Sequence, residues 1–149
     1  MSRHQTFEEF IVEARSQLRR AYAGHLAPDV IPDAVAEAEA WAWENRRRLN
    51  RIANPVGYLY RVGQSRIRTR KQGFVPWEGD ADAPMVEPGL PKALAALPAQ
   101  QASAIWLVKA CGWTNVQAAE ALDVSPSTVA THVSRGMERL RAQLGVDDA

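Results

Sequence analysis

Apolar residues recur at helical spacing along most of the chain. Phe7, Phe10, Ile11, Ala14, Leu18, Ala21 and Tyr22 form one stripe that predicts a helix over about 5–23, closed by Gly24 and Pro28. Pro32 opens a second predicted helix through Arg48, carrying Val35, Ala38, Ala42 and Trp43. Asn54-Pro55 reads as an N-cap with proline at N1 and starts a third, to about Lys71. On that helix Val56, Leu59, Gly63 and Ile67 share the apolar side, and Arg61, Gln64, Arg68 and Lys71 share the other. Residues 73–90 have no period and are rich in glycine, proline and acids, which predicts a flexible linker. Beyond it, Pro91–Leu97 and Pro98–Cys111 read as two further helices. The fold class expected is all-α, with two small helical domains at 1–72 and 91–149.

The segment from Trp113 to Arg135 carries the sharpest boundary signals. Thr114 with Gln117 fits a capping box, and Ser125-Pro126 gives an N-cap followed by N1 proline. Only Asp123 and Val124 remain between them, so the chain must turn sharply: helix, tight turn, helix. Val129, Val133, Met137, Leu140 and Leu144 make the apolar stripe of the second helix. Its opposite face presents Ser127, Thr128, Thr131, Ser134 and Arg135. Short donors and acceptors with one arginine suit base edges and phosphates, and a helix-turn-helix of this shape lays its second helix in the DNA major groove. With the capping Ser125 these are the candidate DNA-reading residues. An ordinary amphipathic surface helix is the plainer reading of the same stripe.

Charge shifts the picture toward the N-terminal end. The formal net charge is +1, yet residues 1–72 hold thirteen Lys/Arg against eight Asp/Glu, residues 73–90 hold four acids and no base, and residues 91–149 balance at five each. The run Arg46-Arg47-Arg48 with Arg51 reads equally as a solvated helix end or a nucleic-acid contact. Trp41 and Trp43 cannot share a helical face, so one belongs to the core and the other to an interface; Trp77 in the linker is an apolar anchor candidate. Cys111 is alone, which excludes a disulfide framework, and the three histidines lack ligand spacing. No nucleophile elbow, phosphate loop or paired-carboxylate pattern occurs, so neither catalysis nor a cofactor is expected. Nothing resembles a signal peptide or membrane span, and a soluble, cytoplasmic protein is expected.

The order of features resembles the two-domain, extracytoplasmic-function (group 4) sigma factors of the sigma-70 family. Phe7-Glu8-Glu9-Phe10, the stretch Asp33–Trp43 and Asn54-Pro55-Val56-Gly57-Tyr58-Leu59-Tyr60-Arg61-Val62 are similar to the family's region 2. Ala93-Leu94-Ala95-Ala96-Leu97-Pro98 and Ser127-Thr128-Val129 are similar to region 4. The resemblance implies a subunit that directs bacterial RNA polymerase core to promoter DNA. Region 2 would bind polymerase through Asp33, Glu37 and Trp43, and −10 DNA through Asn54, Arg61, Gln64, Arg68 and Lys71. Region 4 would read −35 DNA through the second helix, and an anti-sigma protein is among the partners implied. The chain departs from the family in that Ala36 replaces its glutamine and Glu39 its phenylalanine, and Ser65 and Thr69 stand where its melting helix has Asn and Asp. Ala36 and Glu39 keep open a sigma-like adaptor or inhibitor of a protein partner; a third reading is a stand-alone helix-turn-helix regulator, dimeric through the first domain.

Overall fold

The computed structural model describes residues 5–24, 26–67 and 90–145. Among these residues the structure is entirely helical, as expected. The elements are α1 (Phe7–Ala23), α2 (Ile31–Glu44), α3 (Arg46–Leu49), α4 (Pro55–Arg66), α5 (Leu90–Ala95), α6 (Ala99–Ile105), α7 (Asn115–Leu122) and α8 (Pro126–Leu144); a π turn, Trp106–Ala110, prolongs α6. The expected linker therefore falls almost wholly outside the described residues, Trp77 with it; only Leu90 is described, and it already belongs to α5.

Each unit builds its interior from the predicted stripes. Thr6 caps α1 by accepting from the Glu9 amide at 3.1 Å, and Phe10, Ile11, Ala14, Leu18, Ala21 and Tyr22 are all buried. The Tyr22 and Tyr60 rings stack at 4.7 Å between α1 and α4, and the Tyr22 hydroxyl donates to the Tyr60 carbonyl at 2.7 Å. Gly63 lets α4 come this close. A Cβ there would strike the Tyr22 hydroxyl and lie 2.5 Å from the Ala34 carbonyl oxygen.

Three helix boundaries differ from expectation, and packing explains each. The second helix was expected to run through Arg48 but breaks at Asn45, whose backbone and side-chain amides both donate to the Trp41 carbonyl at 2.9 Å. The break turns Leu49 into the core, 1% exposed, and lets Arg46 and Arg48 lie over the Trp43 and Trp41 rings at 5.5 and 5.8 Å. The third helix was expected to reach Lys71 but ends at Arg66, because Ile67 takes extended backbone (φ −94°, ψ 140°) against the core. The helix expected over Pro98–Cys111 widens into the π turn, closed by the Cys111 amide on the Trp106 carbonyl at 2.9 Å. That wider turn brings Trp106 and Leu107 inward together, each 1% exposed.

The two units share one core. Trp106 reaches across to α1, where its Nε1–H donates to the Arg20 carbonyl at 2.9 Å. Its ring covers Gly24, at which a Cβ would sit 2.5 Å from the indole. Gly24 thus serves this close approach; its φ of −91° is open to any residue. Tyr60 and Trp113 meet edge to face at 5.9 Å. Replacing Gly63 with alanine forces backbone and ring apart, and the loss expected is about 3 kcal/mol, at the upper end of ordinary overpacking. Denaturant titration of the variant checks it, and an unchanged midpoint would contradict the packing described.

Candidate nucleic-acid interface

The helix-turn-helix forms from the predicted caps. Thr114 Oγ1 accepts from the Gln117 amide and Gln117 Oε1 accepts from the Thr114 amide, both at 3.0 Å, so two orphan donors are satisfied reciprocally. α7 ends at Asp123 in the left-handed region (φ 56°, ψ 47°), where aspartate is tolerated among non-glycine residues, and the Val124 amide returns to the Ala119 carbonyl at 3.1 Å. Ser125 then accepts from the Thr128 amide at 3.1 Å and starts α8. Val129 and Leu140 are buried and Val133 and Met137 half-buried, which fixes the rotation of α8. Leu144, expected on this stripe, is 41% exposed, so the stripe ends at Leu140. Gly136 is buried where α6 crosses α8, against Ile105.

This rotation presents the predicted polar face to solvent. Ser127, Thr131, Ser134 and Arg135 are exposed and Thr128 is half-buried. The hydroxyls are not equivalent. Ser125 Oγ lies 2.8 Å from Thr128 Oγ1 and 3.0 Å from Ser127 Oγ, so the first turn holds its own cap together. Thr131, Ser134 and Arg135 project farther along the helix, and Arg135 has no ion pair with any described residue. Their face is suited to base edges and phosphates at one pitch of a groove.

The candidate residues of the first unit divide into three groups. Asp33, Glu37 and Trp43 lie on the outer side of α2 with Ala36 and Ala40, all exposed. Glu37 faces Arg66 of α4 at 3.7 Å. Trp43 is 40% exposed and packs edge-on to Phe7 at 4.7 Å beneath the Arg46 guanidinium, whereas Trp41 is the core tryptophan at 7%. Glu39 leaves this outer strip. It takes Arg15 of α1 in two hydrogen bonds, at 2.6 and 3.2 Å, and this pairing raises the Arg15 pKa.

The second group is on α4. Asn54 occupies the N-cap position, but its side chain makes no capping bond, contrary to expectation; Pro55 alone favours the helix start. Arg61 is half-buried and engaged: its guanidinium lies 2.7 Å from Asp123, 3.6 Å from Glu120 and 5.1 Å from the centre of the Tyr58 ring. Gln64 is half-buried beside it. The third group, Arg68 and Lys71, lies outside the described residues. Glu120 and Asp123 were missed as Arg61's partners, since nothing local joins positions about sixty residues apart.

Other titratable groups carry no chemistry of their own. Burial pushes the Cys111 thiol up to about 12 despite the nearby Arg20, so it stays protonated at neutral pH. Burial likewise raises the Tyr22 and Tyr60 hydroxyls and keeps them neutral. A polar cleft of about 240 Å³ lies at the seam between Gln17 and Arg20 of α1 and the stretch Cys111–Trp113 with Gln117. Among the described residues no cluster of three or more His, Cys, Asp or Glu could hold a metal, and no helix is long and apolar enough to cross a membrane.

Residues 89–140, which hold the helix-turn-helix unit, match the family model described as sigma-70, region 4. Among solved structures the chain is similar to the sigma factor RpoE in its co-crystal with the anti-sigma factor NepR, from Bartonella quintana. The TM-score is 0.71 at 22% identity, covering 95% of this chain and 98% of that one. The chain thus shares the fold of that protein. No curated protein sequence matches it.

The cap geometry sets an expectation about stability. Ser125→Ala removes the acceptor for the Thr128 amide and should cost about 1 kcal/mol, read as a lowered melting temperature. Ser127→Ala, on the exposed face, should stay within about 0.5 kcal/mol of the parent in the same melt.

Proposed function

We propose that this chain is a sigma factor for transcription initiation, directing bacterial RNA polymerase core to promoter DNA. The observation that carries the reading is the exposed Thr131-Ser134-Arg135 face of α8, in a capped helix-turn-helix that matches region 4, within a chain of sigma-factor fold. Region 4 reads −35 DNA with that face. Ser125, Ser127 and Thr128 shape the first turn and bring its N-terminus to the phosphates. Region 2 binds core polymerase along the outer strip of α2, through Asp33, Glu37 and Trp43, and the −10 element along α4, through Asn54, Arg61, Gln64, Arg68 and Lys71. Each domain alone binds weakly, and polymerase supplies the tethering that makes the pair effective. The work is done in the cytoplasm, without cofactor or catalysis. The solved relative is held by an anti-sigma factor, and this chain has an antagonist of that kind among its partners.

A second reading is favoured by one observation. The outer strip of α2 is small and polar except at its end: Asp33, Ala36, Glu37 and Ala40 precede Trp43, and Glu39 is taken up by Arg15. Such a surface offers core polymerase one aromatic anchor, where interfaces usually concentrate affinity. A sigma-like adaptor that binds a protein without activating transcription would need no more.

Run-off transcription from a promoter library, with purified core polymerase, separates the two. Protein-dependent transcripts sharing a −35 and −10 pair are expected. Arg135→Ala should reduce them and lower the salt slope of binding to a −35 duplex by about 1, with the melting temperature unchanged. Binding to core in native gels without any transcript would transfer the assignment to the adaptor.

A further inference from the structure

We propose that the polar cleft between α1 and the start of α7 is a binding site for a small organic carboxylate. Its volume is about 240 Å³, below the roughly 300 Å³ at which sites for drug-sized ligands begin, so its occupant is a small metabolite. Gln17 and Arg20 of α1 line one side, and Cys111, Gly112, Trp113 and Gln117 line the other. The inference stands on this geometry and is independent of the promoter-binding role.

The cleft gathers donors that the rest of the chain leaves unused. Trp113 is 8% exposed, and its indole N–H has no acceptor among the described residues, unlike that of Trp106. A tryptophan this buried ordinarily finds one. Gln117 gives its Oε1 to the Thr114 amide, so its side-chain N–H groups are what it has left to offer. Arg20 packs through its main-chain carbonyl, which accepts from Trp106, and its guanidinium has no ion pair among the described residues. Gly112 turns the chain at φ 75°, and the space where a Cβ would stand is open, so no side chain fills that part of the cleft.

Charge decides the class of ligand. No acid lines the cleft, and the full charge there is the Arg20 guanidinium. Burial keeps the Cys111 thiol protonated, so it adds no negative charge. The N-terminal turn of α7, to which Gln117 belongs, adds positive potential. A carboxylate matches the planar guanidinium fork with two parallel hydrogen bonds and keeps lone pairs for Gln117 and Trp113. Gln17 can donate or accept, which suits a hydroxyl or keto oxygen beside the carboxylate. A short hydroxy or keto acid meets these demands together. Held from both sides, it ties α1 to the stretch that enters the helix-turn-helix and stabilises the folded chain by mass action.

The test follows the indole N–H signals of the isotope-labelled full chain by NMR as sodium lactate is added at constant ionic strength. The Trp113 signal is the one missing from Trp113→Phe. Lactate should shift it and saturate with a Kd of about 1 mM, within what so small a ligand supplies. Arg20→Ala, which keeps the main-chain bond to Trp106, should bind at least about tenfold more weakly, the cost of losing one charged hydrogen-bond partner. Gln117→Glu retains the capping box but faces the ligand with a like charge, and should weaken binding by a similar factor. Circular dichroism checks that both variants keep their helix. A Trp113 signal unmoved by lactate in the parent, or moved equally in Arg20→Ala, would overturn the site. Saturation by inorganic phosphate but not by lactate would overturn the carboxylate assignment.

Discussion

The seat of Trp106 is the constraint on which the rest of this structure depends. Each helical unit has on the order of 60 residues, a size at which a folded chain hides only about 60% of its potential surface. Neither unit buries a large core alone. The indole bridges them, 1% exposed, with its ring over Gly24 and its N–H on a carbonyl of α1. A buried tryptophan needs a partner for that N–H, and it finds one in the other unit. The π turn is the local adjustment that puts Trp106 there.

From that contact follows the character of the whole molecule. Tyr60, Trp113, Gly24 and Gly57 line the seam between the two units, which pack closely on one another. Separating the units exposes that seam, so the balance between a closed and an opened chain is one of relative stability. A partner acts by binding one of these states better than the other, and its effect is bounded by that difference.

What was legible in the sequence was what local chemistry decides. The capping box at Thr114, the Ser125-Pro126 start and the two-residue turn were readable because each satisfies backbone groups within a few residues. The α1 stripe was readable because one face is buried throughout. The break at Asn45, the early end at Ile67 and the π turn at Trp106 were not, since distant packing imposes them on otherwise helical stretches. Glycines were the most misleading. Gly24 read as helix punctuation and Gly57 as an unremarked motif position, yet both are places where another helix comes too close for a Cβ. The polar face of α8 was legible as a face, but not the sharing of Ser125, Ser127 and Thr128 hydroxyls within the cap.

The two departures from the family pattern on α2 also change meaning once placed. Glu39 reads in sequence as an aromatic anchor lost from the polymerase-facing helix. In the structure it points to α1 and holds Arg15, with about a quarter of its side chain exposed. A phenylalanine there would leave Arg15 without its partner, so the exchange is coupled to α1 as well as to any polymerase. Ala36 does remain on the outer strip, small and exposed, between Asp33 and Ala40. The aromatic residue on that strip is Trp43, which Phe7 and Arg46 hold in one orientation. A fixed aromatic side chain loses less freedom on binding than a mobile one, which offsets part of what a narrower contact gives up.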